Sequence, residues 1–523
     1  MAERMRARAL RARRQVSTRL HRTSWSRRHA RVVTSFQAWA DLADLAQGLT
    51  ALLSRHGIEH LVLPDGVDAM PRIAVRREDA AALAEALSTS GHADWWVARI
   101  RGDIVGRARW AARFRHVGRA DGVMVLRNLV SEGGIQLNDS EFGVAVSLWT
   151  TLDTPQQRPG GGVLAAGTLV APSANGVLDY LDPSQWADAQ RADHRLPPSP
   201  PHLLVLNEPV DLVYTWVDAD DPEWAARKAE ALGRPSPTGY SRDAAITARF
   251  ADRDELRYSL RSVEMFADWA RRIWIVTDRQ CPDWLVQDDR LKVVDHREVF
   301  ADPAALPVFN SHAIESQLHH IQGLADRYLY LNDDMLFGAP VRPEQFYHGN
   351  GLSKVFLSLA VIDPAPRTDA DNAVTAAAKN NRSLMEREFG RTITNKLWHT
   401  PQPHSRELMV ELEAGHPMLF DTVMRSRFRS PSDHSLTSSL DAYYAAALGR
   451  SVTGRVRYGY LNLADPEPWV TMEVWLARRD MHCFCVNDGG LDDPVGRAAT
   501  AAVLAEFFEA YFPLPSRWER ELG

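Results

Sequence analysis

Three apolar runs of this chain end in carboxylates or a carboxamide, and that pattern constrains the fold more than any other feature. Arg327-Tyr-Leu-Tyr-Leu-Asn-Asp-Asp-Met335 drives strand-forming residues up to the pair Asp333-Asp334. Asp211-Leu-Val-Tyr-Thr-Trp-Val-Asp218 has the same form upstream, and Phe484-Cys-Val-Asn-Asp488 repeats it downstream. A short continuous apolar run bounded by polar residues reads as a strand buried on both faces. Between the runs the hydrophobic period changes: Leu256, Leu260, Val263 and Phe266 share one face of an expected helix over Asp254–Trp269. Arg272–Thr277 and Leu291–Val294 read as further strands, and a second helix is expected over Ser311–Ala325. Strands alternating with helices predict an α/β sheet with helices on both faces. Ligands in such sheets sit beyond the C-terminal ends of the strands, which is where the acidic tips fall. Aspartates there suit a hard divalent cation and the phosphates it neutralises.

At 523 residues the chain is too long for one ordinary core. The linker signal is Asp193–Pro201, where four prolines fall within five residues and preclude a helix or a central strand. The expected organisation is an arginine-rich flexible arm at 1–35, an accessory α+β domain at 36–195, a proline-rich linker at 196–206 and a catalytic domain at 207–523. No catalytic constellation stands out in 36–195. The net charge of −6 hides an asymmetry, because residues 1–31 hold eleven arginines and one acid, Glu3. Such an arm is attracted to polyanions. Leu10, Val16 and Leu20 interrupt it at loosely helical spacing, which favours an anionic membrane surface over nucleic acid. No apolar run is long enough to span a bilayer, and the N-terminus lacks the apolar core of a secretory signal, so export by that route is not expected. Three cysteines, Cys281, Cys483 and Cys485, make no disulfide framework. A reducing cytoplasm follows as the expected compartment. Cys483 and Cys485 read as buried small residues rather than zinc ligands.

Several polar side chains are candidates for chemistry. At about 100° per residue, His312, Glu315 and His319 share one stripe of the expected helix, opposite Ile314, Leu318, Ile321 and Leu324. The apolar stripe is expected on the sheet and the His/Glu stripe toward a cleft or solvent, with His312 in the first turn lining the site. Trp398-His-Thr-Pro-Gln-Pro-His404 sets two histidines in a proline-stiffened loop, a mount for a general base. Arg429 either binds phosphate through its guanidinium or pairs with Asp433.

These segments resemble the conserved blocks of the Stealth proteins. Asp211–Pro222 is similar to the first block, and Arg253–Ser262 through Ile273–Thr277, Ser311–Glu315 and Tyr330–Met335 to the second. Pro403-His404 with Arg429–Asp433 resembles the third block, and Val486-Asn-Asp488 the fourth. The resemblance covers roughly 210–515. It implies a nucleotide-sugar-transferase-like (GT-A-like) fold with a divalent metal, Mg2+ or Mn2+. It also implies transfer of a sugar 1-phosphate from a nucleotide sugar, expected to be UDP-linked, to a hydroxyl of an acceptor saccharide. On that reading Asp333, Asp334, Asn487 and Asp488 hold the metal. Tyr214, Trp216, Asp218, Arg261 and Glu315 bind substrate. Arg257 and Arg429 meet the phosphate oxygens, and His404, then His312, is the proton acceptor. The alternative on the same sheet is a metal-dependent glycosyltransferase that releases the nucleoside diphosphate.

Overall fold

The computed structural model describes residues 29–520 except 65, 67–69, 103, 139–141, 159–160, 174, 198–199, 201, 234–249, 251 and 488–493, with backbone alone at 494–500. Two compact units divide between Val205 and Leu206. In the first, a sheet built around Val144–Thr151, Gly122–Arg127 and Trp95–Arg101 is covered by the helix Ala38–Arg55. That helix buries Leu42, Leu45, Leu49 and Leu52, the i, i+3, i+7 spacing of one helical face. Arg31–Val32 forms a short parallel pair with Leu129–Val130, so backbone pairing begins within the stretch expected to be a flexible arm. Residues 1–28 of that arm lie outside the described residues.

The second unit carries the acidic strand tips. The strands of its two larger sheets are β1 (Val210–Thr215), β2 (Ile273–Thr277), β3 (Leu291–Asp295), β4 (Arg327–Asn332), β5 (Met335–Phe337), β6 (Gln402–Ser405), β7 (Tyr458–Asn462) and β8 (Cys483–Asn487). The main sheet runs β3-β2-β1-β4-β6. β1 to β4 are mutually parallel, and β6 pairs antiparallel with β4. β1 and β2 are buried almost throughout, as their apolar runs require in a sheet covered on both faces. Strand order reverses between β1 and β4, which makes their C-terminal ends the natural ligand crevice. A second sheet, β5-β8-β7, stands beside that crevice. Asp211 belongs to the opposite end of β1, where Arg271 and the Trp274 indole hold its buried carboxylate.

Helices cover both faces of the main sheet. After α1 (Pro222–Leu232), α2 (Glu255–Phe266) lies under β1, where the Ser259 hydroxyl meets the Tyr214 hydroxyl at 2.8 Å. α3 (Ser311–Glu315) covers the other face, packing Ala313 with Val213, Val276 and Tyr330. The expected helix over Ser311–Ala325 is thus shorter than its periodicity implied. Ser316 Oγ donates to the Ala313 carbonyl at 2.7 Å, and the Gln317 amide oxygen turns away to accept from Ala301 N. Side chains that bond the backbone in this way compete with the helical ladder, and the chain continues as a 3-10 turn at Leu318–His320. Beyond a long helix at Ala373–Phe389, α4 (Arg406–Gly415) begins where expected, with the Ser405 hydroxyl accepting from Leu408 N. A π-turn at Leu436–Leu440 leads into α5 (Asp441–Ala447).

Candidate active site

An open cleft of about 890 Å³ lies over the ends of β1, β2 and β4. Trp216, Trp224, Phe250 and Phe309 give it an aromatic wall, while Asn332 and Asp333 line it at the tip of β4. Arg429 lines the same space, with a guanidinium nitrogen 3.1 Å from the Ser311 hydroxyl. The Trp216 indole donates to Asp252 Oδ2 at 3.3 Å, which ties the aromatic wall to an acidic cluster.

That cluster gathers Asp252 and Glu255 with Asp333 and Asp334. Burial pushes the Asp333 carboxyl well above the usual carboxylate range, and the charges of Asp334, Glu255 and Asp252 push the same way. Burial raises Asp252 to about 6, assisted by Asp254 and Asp218. Burial also raises Glu255 to about 7, against the opposing pull of Arg253. Carboxylates crowded in this manner resist ionising together unless a cation joins them.

Asp334 has a neighbourhood of its own. Cys485 Sγ lies 3.3 Å from its Oδ2, His399 Nδ1 lies 3.2 Å from that sulfur, and Asn332 Nδ2 lies 3.2 Å from His399 Nε2. Among the described residues, Asp334 Oδ1 is buried without a hydrogen-bond partner. Ligand atoms of Asp334, His399 and Cys485 all fall within 4.8 Å of one another. Burial, then the Asp334 charge, pushes the Cys485 thiol well up, so it meets the carboxylate as S–H. A hard divalent cation fits this donor set. A buried carboxylate oxygen lacks a partner, a second aspartate adjoins it, and excess negative charge surrounds both. Val486 N donates to the Asp334 carbonyl at 3.0 Å, and Asn487 is the next and last residue of β8. Asp488 lies outside the described residues.

The remaining residues singled out from sequence are dispersed. Tyr214 sits beneath the cleft rather than in it, fully buried on Ser259. Asp218 closes a turn, accepting from Asp220 N at 2.8 Å. The His312–Glu315–His319 stripe faces neither cleft nor solvent. His312 is buried with its Nδ1 3.4 Å from Asp433, Glu315 accepts from the Ser438 hydroxyl, and His319 pairs with Glu413. The stripe is covered because the segment from Arg427 to Leu440 and α4 fold over α3. Arg257 and Arg261 do not line the cleft either. Both bind Glu519, at 2.6 and 2.8 Å, and Arg261 adds Glu509. His404 pairs across from Tyr328, well back from the tip of β4, with its Nδ1 on the buried Asp441.

Asp252, Glu255 and Asn332 were not singled out from sequence, while His399 was read only as one of two histidines in a loop suited to a general base and Cys485 only as a buried small residue. Asp252 and Glu255 flank the start of α2, where acidic residues ordinarily serve the helix dipole, and that masks any other use. His399 shares its loop with His404. Only the strand register shows that His404 lies inside β6 while His399 overhangs the tip of β4.

An acidic crevice at the strand ends of a mainly parallel α/β sheet, walled by aromatics and an arginine, has the donor chemistry to hold a divalent cation. Family models for the four Stealth conserved regions match in order: region 1 at 208–235, region 2 at 249–355, region 3 at 398–446 and region 4 at 475–523. A protein of Streptomyces coelicolor named exopolysaccharide phosphotransferase is 38% identical over 515 residues, covering 92% of this chain and 82% of its own length. A second so named in that organism is 40% identical over 392 residues, 73% of this chain and 71% of that one. Exopolysaccharide phosphotransferase CpsY of Mycobacterium tuberculosis is 34% identical over 403 residues, 76% of this chain and 73% of that one. This chain belongs to the Stealth family. Among solved structures, galactosyltransferase LgtC in complex with donor and acceptor sugar analogs aligns at TM-score 0.30 and 12% identity, over 58% of this chain and 96% of that one.

Proposed function

We propose that this chain transfers a sugar 1-phosphate from a nucleotide sugar, UDP-linked, to a hydroxyl of an acceptor saccharide, releasing the nucleoside monophosphate. The names of its relatives support exopolysaccharide or another cell-surface glycan as the product. The observation that carries the reading is the partnerless buried Oδ1 of Asp334 among crowded carboxylates at the mouth of the cleft.

In this reading the aromatic wall takes the nucleobase, and Arg429 meets the diphosphate with a cation of fixed charge. Mg2+ or Mn2+, held by Asp334 through Oδ1 and by Asp333, with Asn487 adjoining, would neutralise charge on the diphosphate. The acceptor oxygen attacks the sugar-bearing phosphorus, and the bond from that phosphorus to the oxygen of the nucleoside monophosphate breaks. The hydroxyl proton passes to His399 Nε2, the ring nitrogen that meets Asn332 at the cleft. His404, enclosed with Asp441, serves the packing of β6. Phosphoryl transfer of this kind needs mainly positioning and charge neutralisation.

Incubation with a panel of nucleotide sugars and Mn2+, followed by identification of the released nucleotide, tests the proposal. UMP supports it, and UDP transfers the assignment to a glycosyltransferase on the same sheet. No helix among the described residues is long and apolar enough to cross a membrane. We assign the arginine arm to an anionic membrane surface. Vesicle sedimentation that is unchanged after removal of residues 1–31 would refute that assignment.

A further inference from the structure

We propose that Cys485 is a positioning residue: its thiol fixes the polarity of a hydrogen-bonded chain running from Asp334 to Asn332. It thereby sets which oxygen of Asp334 and which nitrogen of His399 remain for chemistry. The inference deepens the transferase reading and rests on it for the use made of those two atoms.

Four side chains from three distant segments are joined end to end, with Asp334 Oδ2 to Cys485 Sγ at 3.3 Å, Cys485 Sγ to His399 Nδ1 at 3.2 Å and His399 Nε2 to Asn332 Nδ2 at 3.2 Å. Their chemistry permits one direction. A carboxylate has lone pairs and no hydrogen, so the thiol hydrogen points to Asp334 Oδ2. A thiol has a single hydrogen, so toward His399 the sulfur can only accept, and Nδ1 carries the ring hydrogen. A neutral imidazole protonated at Nδ1 keeps its lone pair on Nε2. The Asn332 carboxamide nitrogen donates to that lone pair. Each link has one donor and one acceptor.

Two consequences follow at the reacting end. With Oδ2 of Asp334 engaged by sulfur, its buried Oδ1 is the oxygen left without a partner, ready for a cation. With Nδ1 of His399 tied to sulfur, the basic nitrogen is Nε2, the one beside Asn332 at the cleft. An acceptor hydroxyl that displaces the Asn332 amide would find a lone pair there. Without the sulfur, His399 is free to adopt the Nε2–H form, which cannot accept a proton at that position. Outer groups that orient metal ligands commonly change metal affinity by about 10- to 100-fold.

The test uses full-length protein labelled with 15N-histidine, free of metal, in wild-type, C485A and C485S forms. The His399 signal is identified by its loss in H399Q. Long-range proton–nitrogen correlation reads the tautomer, and Mn2+ titration followed by EPR reads cation affinity in the same samples. Wild type and C485S are expected to show the Nδ1–H form, since serine keeps one hydrogen and a lone pair. C485A is expected to lose that preference and to bind Mn2+ roughly tenfold more weakly. A folded C485A with the wild-type tautomer and Mn2+ affinity within about twofold of wild type would overturn the proposal. So would an Nε2–H form in wild type, which decides the matter even where the alanine variant does not fold. If wild type binds no Mn2+, the cation of the transferase reading falls, while the metal-free tautomer comparison still decides the role of Cys485.

Discussion

Cys485 stands opposite Met335 in the antiparallel pairing of β8 with β5, and this register delivers its sulfur to the Asp334 carboxylate 3.3 Å away. The pairing converts a run near 485 and a run near 333 into neighbours. Every prediction about the cation site depends on that junction.

Replacing Asp334 by asparagine removes the negative charge while keeping an oxygen for the Cys485 thiol. Nucleotide release is expected to fall by about 10²–10³-fold or more, with the circular dichroism spectrum unchanged. Full activity in the asparagine variant would refute Asp334 as a cation ligand.

The two histidines of the loop separate function from stability. His399→Gln is expected to lower turnover by about 10²–10⁴-fold with little change in urea midpoint. His404→Ala leaves buried Asp441 without its partner and should cost roughly 3–5 kcal/mol of stability. Turnover per folded molecule should survive in that variant. The reverse pattern would restore His404 as the proton acceptor.

Glu519 is the hub for two guanidinia on α2. Its side chain is 2% exposed, and its carboxyl lies below the usual range because Arg261 and Arg257 outweigh its burial. Glu519→Ala leaves the buried Arg261 with the exposed Glu509 as its remaining carboxylate partner and is expected to destabilise the fold by up to about 3 kcal/mol in urea unfolding. Arg257→Ala should cost less, since that side chain is 25% exposed.

Glu413 joins His319 and His320, each at 2.8 Å. Although burial opposes it, hydrogen bonds from the two histidines hold Glu413 down at about 2, and His320 is raised by the same partner against its own burial. A lowered acid stabilises the fold above its unfolded value and loses that contribution as pH falls toward 2. A raised histidine stabilises below its unfolded value of about 6.5 and loses that contribution as pH rises through its folded value. The pair is therefore strongest between about pH 4.5 and 6.5. Glu413→Gln should cost roughly 1.5–3 kcal/mol near pH 5.5 and clearly less at pH 9. An equal cost at both values would reject the ion pair.

Much of the sheet was legible because buried parallel strands are nearly all apolar and the helices between them are amphipathic. β1, β2, β3 and β4 each fall on runs read from hydrophobicity, and the acidic pair at 333–334 marked the crevice. The helix cap at Ser405 was legible for the same local reason. What the sequence hid was long-range. Arg257 and Arg261 have the spacing of a cleft-facing stripe, yet Glu519, more than 250 residues downstream, claims both. The stripe of His312, Glu315 and His319 looked exposed until the segment after Arg427 covered it. Cys485 resembled any small buried residue, because its significance lies in a partner 151 positions away.

The edge strand β6 meets β4 at Arg327–Tyr330, and the loop from Trp398 to Pro401 continues past that pairing to set His399 beside Asn332. Anchorage and reach are thereby divided between two stretches of chain. The overhang is held from elsewhere, with Trp398 N donating to the Phe356 carbonyl at 2.9 Å and Thr400 buried. Such an arrangement seats the His399 imidazole beside Asn332 from a stretch of chain that takes no part in the main sheet.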